Sequence, residues 1–455
     1  MEKEEITYYE LNPSQEVVKL QCTYSLFKRV INILTSASTE KEIDFKLLEK
    51  AFNIAVERND CTRIQFVKRK GKLMQYFRKQ VVFKDIPVLE FKTKEEQDAF
   101  IEKESIKPIK YMKGEVIKPT FIKTYDGLSM VFFKVCHLVF DIYGLNVFTQ
   151  DLFGIYDALK NGTDLPVAPK KFEDLIKKDI EMKHDKEKSK RDYDYFKKIL
   201  SENPEPYYAG VDGGTNKWIQ KARKKNRRPS PFFIMRNDTK LYAHSISKEV
   251  CDKLLNCAKE TQVTIANLLF YIFSVTQSRL NGDVPSLLPL ELCNVRGTLL
   301  ERKAAGTKAQ SLLCYTKVDK DKSFIDNLNA FMEIQNENYR HIGMKDLDAQ
   351  MLIHDVYKTS LLEIYYSIAY SFIPIEKTGD IKMDFYTNGK CALPLYVAVL
   401  YDYKNNTIDI GYDAQVQLVS EQNVAQFHKN LISCIEQVCV NPNMLVKDIQ
   451  LEAIK

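Results

Sequence analysis

The most constraining stretch of this 455-residue chain is a strand that runs directly into a helix. Ser129 to Val135 reads Ser-Met-Val-Phe-Phe-Lys-Val, almost wholly apolar and rich in β-branched and aromatic residues. A strand with one wet face alternates; a run this continuous fits a strand covered on both faces. From Leu145 the period changes. Leu145, Phe148, Leu152, Ile155, Tyr156 and Leu159 recur at three and four residues, the stripe of an amphipathic helix that Asn161-Gly162 stops. Only Cys136–Gly144 connects the two, and a sharp strand-to-helix passage is where side chains are often presented to a cavity.

The same reading predicts a helix over 45–57 behind the N-cap Asp44, then strands over 62–68 and 74–83 in hairpin order across Lys70-Gly71-Lys72. A charged, Lys-rich helical segment over 170–198 connects two halves. The second half offers a strand near 240–245 and a helix capped by Ser247. A further helix over 265–280 follows Thr264, and a last helix covers 421–438. Strand patterns fall near 287–292, 310–317, 365–372, 395–401 and 407–412. Long helices mixed with mostly antiparallel-type strands make the class α+β. No short-period repeat is visible, which excludes a solenoid. The division expected is a first lobe over 1–175 and a second over 176–455.

Composition removes several function classes. With Gly 16 and Pro 15 the chain is poor in both, and it contains no GxGxxG, GxxxxGK[ST] or GxSxG, so neither nucleotide loops nor a nucleophile elbow are signalled. No HExxH and no Cys/His spacing suggests a metal. A net charge of +6, from 67 basic and 61 acidic residues, is too weak for a nucleic-acid partner. Ten cysteines without a CxxC pair read as reduced thiols. Met1-Glu2-Lys3-Glu4-Glu5 opens no signal peptide, and the most apolar window, Ile265–Val275, falls short of the roughly 20 residues that span a bilayer. The expectation is a cytoplasmic monomer without a membrane span. The basic run Lys221–Arg228 is open to two readings, a solvated loop or a docking patch for an acidic partner.

Of the 6 histidines, His137 has a suggestive setting: the end of a buried strand, four residues before Asp141. A histidine placed so can stay neutral near pH 7 and accept a proton. On spacing alone, a hydrogen-bonded core histidine beside a turn aspartate is the more ordinary reading.

The segment from Val135 to Leu152 resembles the HHxxxDG active-site motif of the condensation domains of nonribosomal peptide synthetases. These are members of the chloramphenicol-acetyltransferase-like superfamily. The motif here reads Cys136-His137-Leu138-Val139-Phe140-Asp141-Ile142, followed by Tyr143 and Gly144. The resemblance runs in order along nearly the whole chain. Leu11-Asn12-Pro13-Ser14-Gln15 is similar to the family's opening motif, and Arg58 to Phe66 to its "RHxxLRTxF". Lys171 to Leu175 and Tyr195-Phe196-Lys197 resemble its crossover helix. Asn294-Val295-Arg296 resembles "NR", Gly306 to Tyr315 "GxFVNT", and Gly411-Tyr412-Asp413 the strand before the last helix.

The resemblance implies two acetyltransferase-like lobes in a V-shaped pseudo-dimer with a central tunnel. It also implies carrier proteins that deliver phosphopantetheine thioesters, no tightly bound cofactor, and an amine or aminoacyl acceptor. His137 matches the catalytic histidine, which positions or deprotonates the amine. Asp141 matches the aspartate that holds the motif loop, with Arg296 as its arginine. Four departures stand out: Cys136 replaces the first histidine, Ile142 the motif glycine, Gln310 the "FVNT" asparagine, and no counterpart of "RDxSRNPL" is found. A β-branched residue neither takes positive φ nor permits close approach as glycine does, so Ile142 is expected to narrow the pocket or shift the loop. A cyclising variant, with Asp in place of His137, is disfavoured.

The chain stops after its last helix with no carrier or adenylation module, so a free-standing enzyme acting in trans is expected. Lys221–Arg228, or the competing Lys186–Arg191, would dock an acidic carrier. The leading reading is an acyltransferase that forms an amide or ester bond from a carrier-bound thioester. The alternatives are an enzyme of the same fold using an acyl-CoA donor, and a non-catalytic platform that recruits a partner to a carrier.

Overall fold

The computed structural model describes residues 6–214, 238–360, 363, 365–375, 380–391 and 393–454. The chain divides into two compact units that are interleaved along the sequence. The first takes the chain to Asp185, then Asn294–Gln310 and Ile375–Gly389; the second takes Lys186–Cys293, Ser311–Pro374 and Lys390 onward. A single cut at 175/176 does not describe this division, because two segments from the second half of the chain fold with the first. Among the described residues no helix is long and apolar enough to cross a membrane.

The first unit is built on a five-stranded sheet of β1 (Asn32–Thr39), β4 (Val88–Glu90), β5 (Ile117–Lys123), β6 (Ser129–Cys136) and β13 (Lys382–Tyr386). Their order is β13-β1-β6-β5-β4. All neighbours are antiparallel except β4 and β5. The unbroken apolar run of β6 follows from two cores. Val131, Phe133 and Val135 face the main core; Met130 and Phe132 face a second, smaller one with Ile101, Leu34 and Ile122. Ile101 belongs to α3 (Lys94–Ser105), so both faces are covered, as the composition of the strand requires.

The main core lies under α2 (Phe45–Arg58) and α4 (Ile142–Asn161). Phe148 of α4 meets Phe52 of α2 edge-on with centroids 5.7 Å apart, and Phe133 of β6 at 6.1 Å. Gly162 ends α4 with φ 64°, where the sequence placed the stop. β2 (Ile64–Arg69) and β3 (Lys72–Phe77) form the expected hairpin, turning through Lys70 and Gly71 at φ 47° and 76°. The second strand ends at Phe77 rather than Phe83. The Asn53 side chain of α2 instead receives Phe83 N–H at 2.8 Å and donates to its carbonyl at 2.9 Å, which satisfies that backbone without a strand.

The expected crossover helix is two helices, α5 (Phe172–Lys183) in the first unit and α6 (Lys186–Ser201) in the second. The second unit holds a six-stranded sheet of β7 (Thr239–Ile246), β9 (Leu290–Asn294), β10 (Ala309–Leu313), β12 (Ala369–Ile375), β14 (Leu395–Asp402) and β15 (Thr407–Gln415). Their order is β10-β9-β12-β14-β15-β7. The patterns near 287–292 and 310–317 are each interrupted, leaving the two-residue strands β8 (Ser286–Leu287) and β11 (Thr316–Lys317). α7 (Lys248–Glu260), α8 (Ile265–Leu280), α9 (Phe324–Arg340), α10 (Asp346–Tyr357) and α11 (Glu421–Val440) complete the unit. α8 is buried all round: Phe270 packs on Tyr370 at 5.0 Å, Tyr271 on Phe331 at 4.8 Å and Phe273 on Phe427 at 5.4 Å.

Candidate active site

β6 ends at Cys136, and the chain turns at once. The Cys136 carbonyl accepts N–H bonds from Val139 at 2.8 Å and Phe140 at 3.1 Å. Two flanking segments hold the turn. Cys136 N–H donates to Val116 O and His137 N–H to Ile31 O, both at 2.8 Å. From the third side the buried Gln15 of α1 (Pro13–Tyr24) donates its Nε2 to the Leu138 carbonyl at 2.9 Å. Gln15 is itself fixed by Gln75 of β3, the two amides exchanging bonds of 2.8 and 2.7 Å. The opening motif that carries Gln15 thus buttresses the turn.

His137 Nδ1 lies 2.9 Å from the Phe140 carbonyl oxygen. A carbonyl only accepts, so Nδ1 must carry the proton and Nε2 is left with a lone pair. Nε2 has no hydrogen-bond partner among the described residues. Burial pushes the His137 pKa below its ordinary 6.5, against the opposing pull of the Phe140 carbonyl and the Asp141 charge. The side chain is therefore a neutral imidazole near pH 7. Cys136 is fully buried in the main core, and burial pushes its thiol far up; it is a packing residue with no thiolate character.

Asp141 is the N-cap of α4, accepting from Gly144 N–H at 2.6 Å. Its carboxylate takes Arg296 in a two-pronged pair at 3.0 and 3.3 Å, and the Lys308 backbone N–H at 2.7 Å. Arg296 is buried; it also donates to Asn294 Oδ1 at 3.0 Å and the Gly306 carbonyl at 2.5 Å, and lies over the Tyr143 ring at 4.9 Å. Asp141 and Arg296, distant in sequence, are thus brought together as one buried ion pair.

Ile142 is the first residue of α4, with no positive φ. The glycine that close approach demands is Gly144: a Cβ there would lie 2.1 Å from the Gly306 carbonyl oxygen. Gly306 in turn has φ 115°, with the Phe172 ring 2.4 Å from where its Cβ would be.

The Arg58-Asn59-Asp60 segment anchors the surrounding helices. Arg58 pairs with Asp151 of α4 at 3.1 Å and Asn59 donates to the same carboxylate at 2.8 Å. Asp60 receives the first N–H groups of α5, Phe172 at 2.7 Å and Glu173 at 3.0 Å. Sequence reasoning missed Lys308 and Asp179, which pair at 2.5 Å. The remaining histidines are engaged locally: His341 with Asp192 at 2.9 Å, His428 with Tyr412 at 3.0 Å and stacked on His244, His354 with Thr359 at 3.0 Å, and His184 with Glu10 at 3.3 Å. The basic run Lys221–Arg228 lies outside the described residues. In Lys186–Arg191, Lys190 pairs with Asp194 and Arg191 with Asp192.

The family model for the condensation domain matches residues 5–453. Gramicidin S synthase 2 of Brevibacillus brevis is 23% identical over 487 aligned residues, covering 97% of this chain and 10% of that protein. Bacitracin synthase 3 of Bacillus licheniformis is 19% identical over 90% of this chain and 6% of its own length. The chain thus spans only a small part of the curated relatives it matches. Among solved structures, the starter condensation domain of rhizomide synthetase in complex with C8-CoA superposes with a TM-score of 0.80 at 15% identity, over 98% of both chains. The first condensation domain of the calcium-dependent antibiotic synthetase, bound to a substrate analogue, gives a TM-score of 0.79 at 12% identity, covering 98% of this chain and 99% of its own. With the family model matched over nearly its whole length and the fold shared with solved condensation domains, this chain belongs to the condensation-domain family.

Proposed function

We propose that the chain transfers an acyl or aminoacyl group from a carrier-bound phosphopantetheine thioester to an amine, forming an amide. With a hydroxyl acceptor the product is an ester. The observation that carries this reading is His137, neutral, with Nδ1–H held by the Phe140 carbonyl and Nε2 unpartnered among the described residues. An α-ammonium with a pKa of about 7.7–8.0 needs little help to lose a proton near neutrality. As the amine nitrogen attacks the thioester carbon, Nε2 takes the proton; the C–N bond forms, the C–S bond breaks, and the imidazolium returns the proton to the departing thiolate. General-base assistance of this kind contributes roughly 10²–10⁴-fold. The same imidazolium can instead stabilise the tetrahedral oxyanion. The phosphopantetheine arm belongs to the partner carrier, so it enters as substrate.

The test is His137→Ala assayed with a carrier-loaded donor. The expected loss is about 10²–10⁴-fold; unchanged product formation would refute the role. A second reading, an acyl-CoA donor with a small soluble acceptor, draws support from the solved starter domain in complex with C8-CoA. Parallel assays with CoA-bound and carrier-bound thioesters separate the two, since a strict need for the carrier eliminates it. No turnover of any thioester, with a carrier still bound, would instead make the chain a recruiting platform.

A further inference from the structure

Another buried ion pair shares Lys308 with the surroundings of the Asp141–Arg296 pair, and nothing in the proposed mechanism uses it. Lys308 Nζ meets Asp179 Oδ1 at 2.5 Å, with the two side chains 3% and 4% exposed. Such a pair is a poor stabiliser, because desolvating both charges offsets most of their attraction. Burial in fact lifts Asp179 above its ordinary carboxylate value despite the adjacent ammonium. The pair's position suggests what it does instead. Asp179 lies on α5 and also accepts Asn12 Nδ2 at 3.2 Å. Asn12 caps the helix that carries Gln15, the residue bonded to the Leu138 carbonyl. Lys308 lies on the Asn294–Gln310 segment, and its own backbone N–H donates to Asp141 Oδ2 at 2.7 Å. The pair therefore ties α5 and the α1 cap to the residue whose amide, with Arg296, fixes Asp141. Asp141 adjoins Phe140, and the Phe140 carbonyl selects the His137 tautomer.

We propose that Lys308 and Asp179 are positioning residues for His137, acting through the Lys308 backbone N–H on Asp141 and through Asn12 and Gln15 on the far side of the turn. This rests on the reading of His137 as the base, so the test includes a readout independent of turnover.

The experiment uses the full chain, ¹⁵N-labelled at histidine, with the His137 resonances assigned from His137→Gln. Asp179→Asn, Lys308→Met and the double variant Lys308→Met/Asp179→Leu are compared with wild type. The double variant replaces both charges by apolar groups and keeps the comparison possible if a single variant leaves a lone buried charge and fails to fold. Expected is a shift of His137 from a single Nδ1–H tautomer to a mixture, and a pKa moving up toward 6.5. With it should come a fall in kcat of up to about 10²-fold at nearly constant KM, with Lys308→Arg restoring part of both. Folded variants with wild-type His137 nitrogen shifts, pH profile and kcat would overturn the proposal. If His137→Ala itself leaves turnover unchanged while the tautomer shift appears, the base reading fails and the positioning role stands.

Discussion

The tautomer of His137 is decided by a backbone atom three residues away. Because the Phe140 carbonyl oxygen is an acceptor only, the proton must be on Nδ1, and the atom left for chemistry is Nε2. Its pKa, below 6.5 through burial, gives a pH prediction. The base is in its working form above its pKa and is lost as it protonates, so the His137 imidazole, followed by its ¹⁵N shifts, should take its proton below pH 6.5. A His137 titration at or above 6.5 would contradict this. A second prediction contrasts two neighbouring positions. Ile142→Gly, at the first helical residue, should cost no more than about 1 kcal/mol and leave turnover nearly unchanged. Gly144→Ala drives a Cβ into the Gly306 backbone and should cost roughly 1–3 kcal/mol or more, read from denaturant midpoints. Of these residues, His137 and Asp141 were legible in the motif. The need for glycine at 144 was not, since nothing local in the sequence says that the Gly306 backbone comes so close to it.

At the scale of elements, period and caps carried most of the information. The stripes of α2 and α4, the caps Asp44, Ser247 and Thr264, and the two-faced apolar run of β6 all occur as the sequence indicates. β1 escaped notice although it is central. Its residues Asn-Ile-Leu-Thr-Ser-Ala-Ser-Thr show no apolar run, because partners across the sheet satisfy its buried hydroxyls. Thr35 donates to the Asp384 carbonyl at 2.7 Å, and Ser36 lies 2.9 Å from the Tyr386 hydroxyl. Both partners lie on β13, and no local pattern announces a strand contributed from so far along the chain. The strand-to-helix joint gives a third prediction. Asp141→Asn keeps an N-cap oxygen for Gly144 but leaves Arg296 as a buried uncompensated charge. A loss of about 3–5 kcal/mol is expected, against about 1 kcal/mol if capping were the residue's only task. Equilibrium unfolding of the single variant distinguishes the two.

Across the whole molecule, buried titrating groups set the acid limit. His428, half of the His244 stack, has its pKa lowered to about 4 by burial and then by the His244 charge. The unfolded chain takes this proton near 6.5 and the native state refuses it until about 4, so native stability should fall as pH drops through that window. Glu104 on α3 acts lower. Burial alone would raise its pKa, but hydrogen bonds from Lys107, Lys134 and Lys118 hold it at about 2, so its contribution is lost between about 4.5 and 2. Denaturant midpoints measured against pH should decline in two stages. His428→Phe should weaken the upper one, to which His137 and His244, also lowered by burial, contribute; an unchanged upper stage would exclude His428 as a source. The sequence by itself determined the α+β class and the principal helices, because these follow from period, caps and local order, and it marked the His137–Asp141 motif through its resemblance to the condensation domains. Only the tertiary structure decided the interleaved units, the pairing of Asp179 with Lys308, and the close approach of Gly144 to the Gly306 backbone. Those depend on which distant backbone comes within hydrogen-bond reach, a matter of packing that no local spacing records.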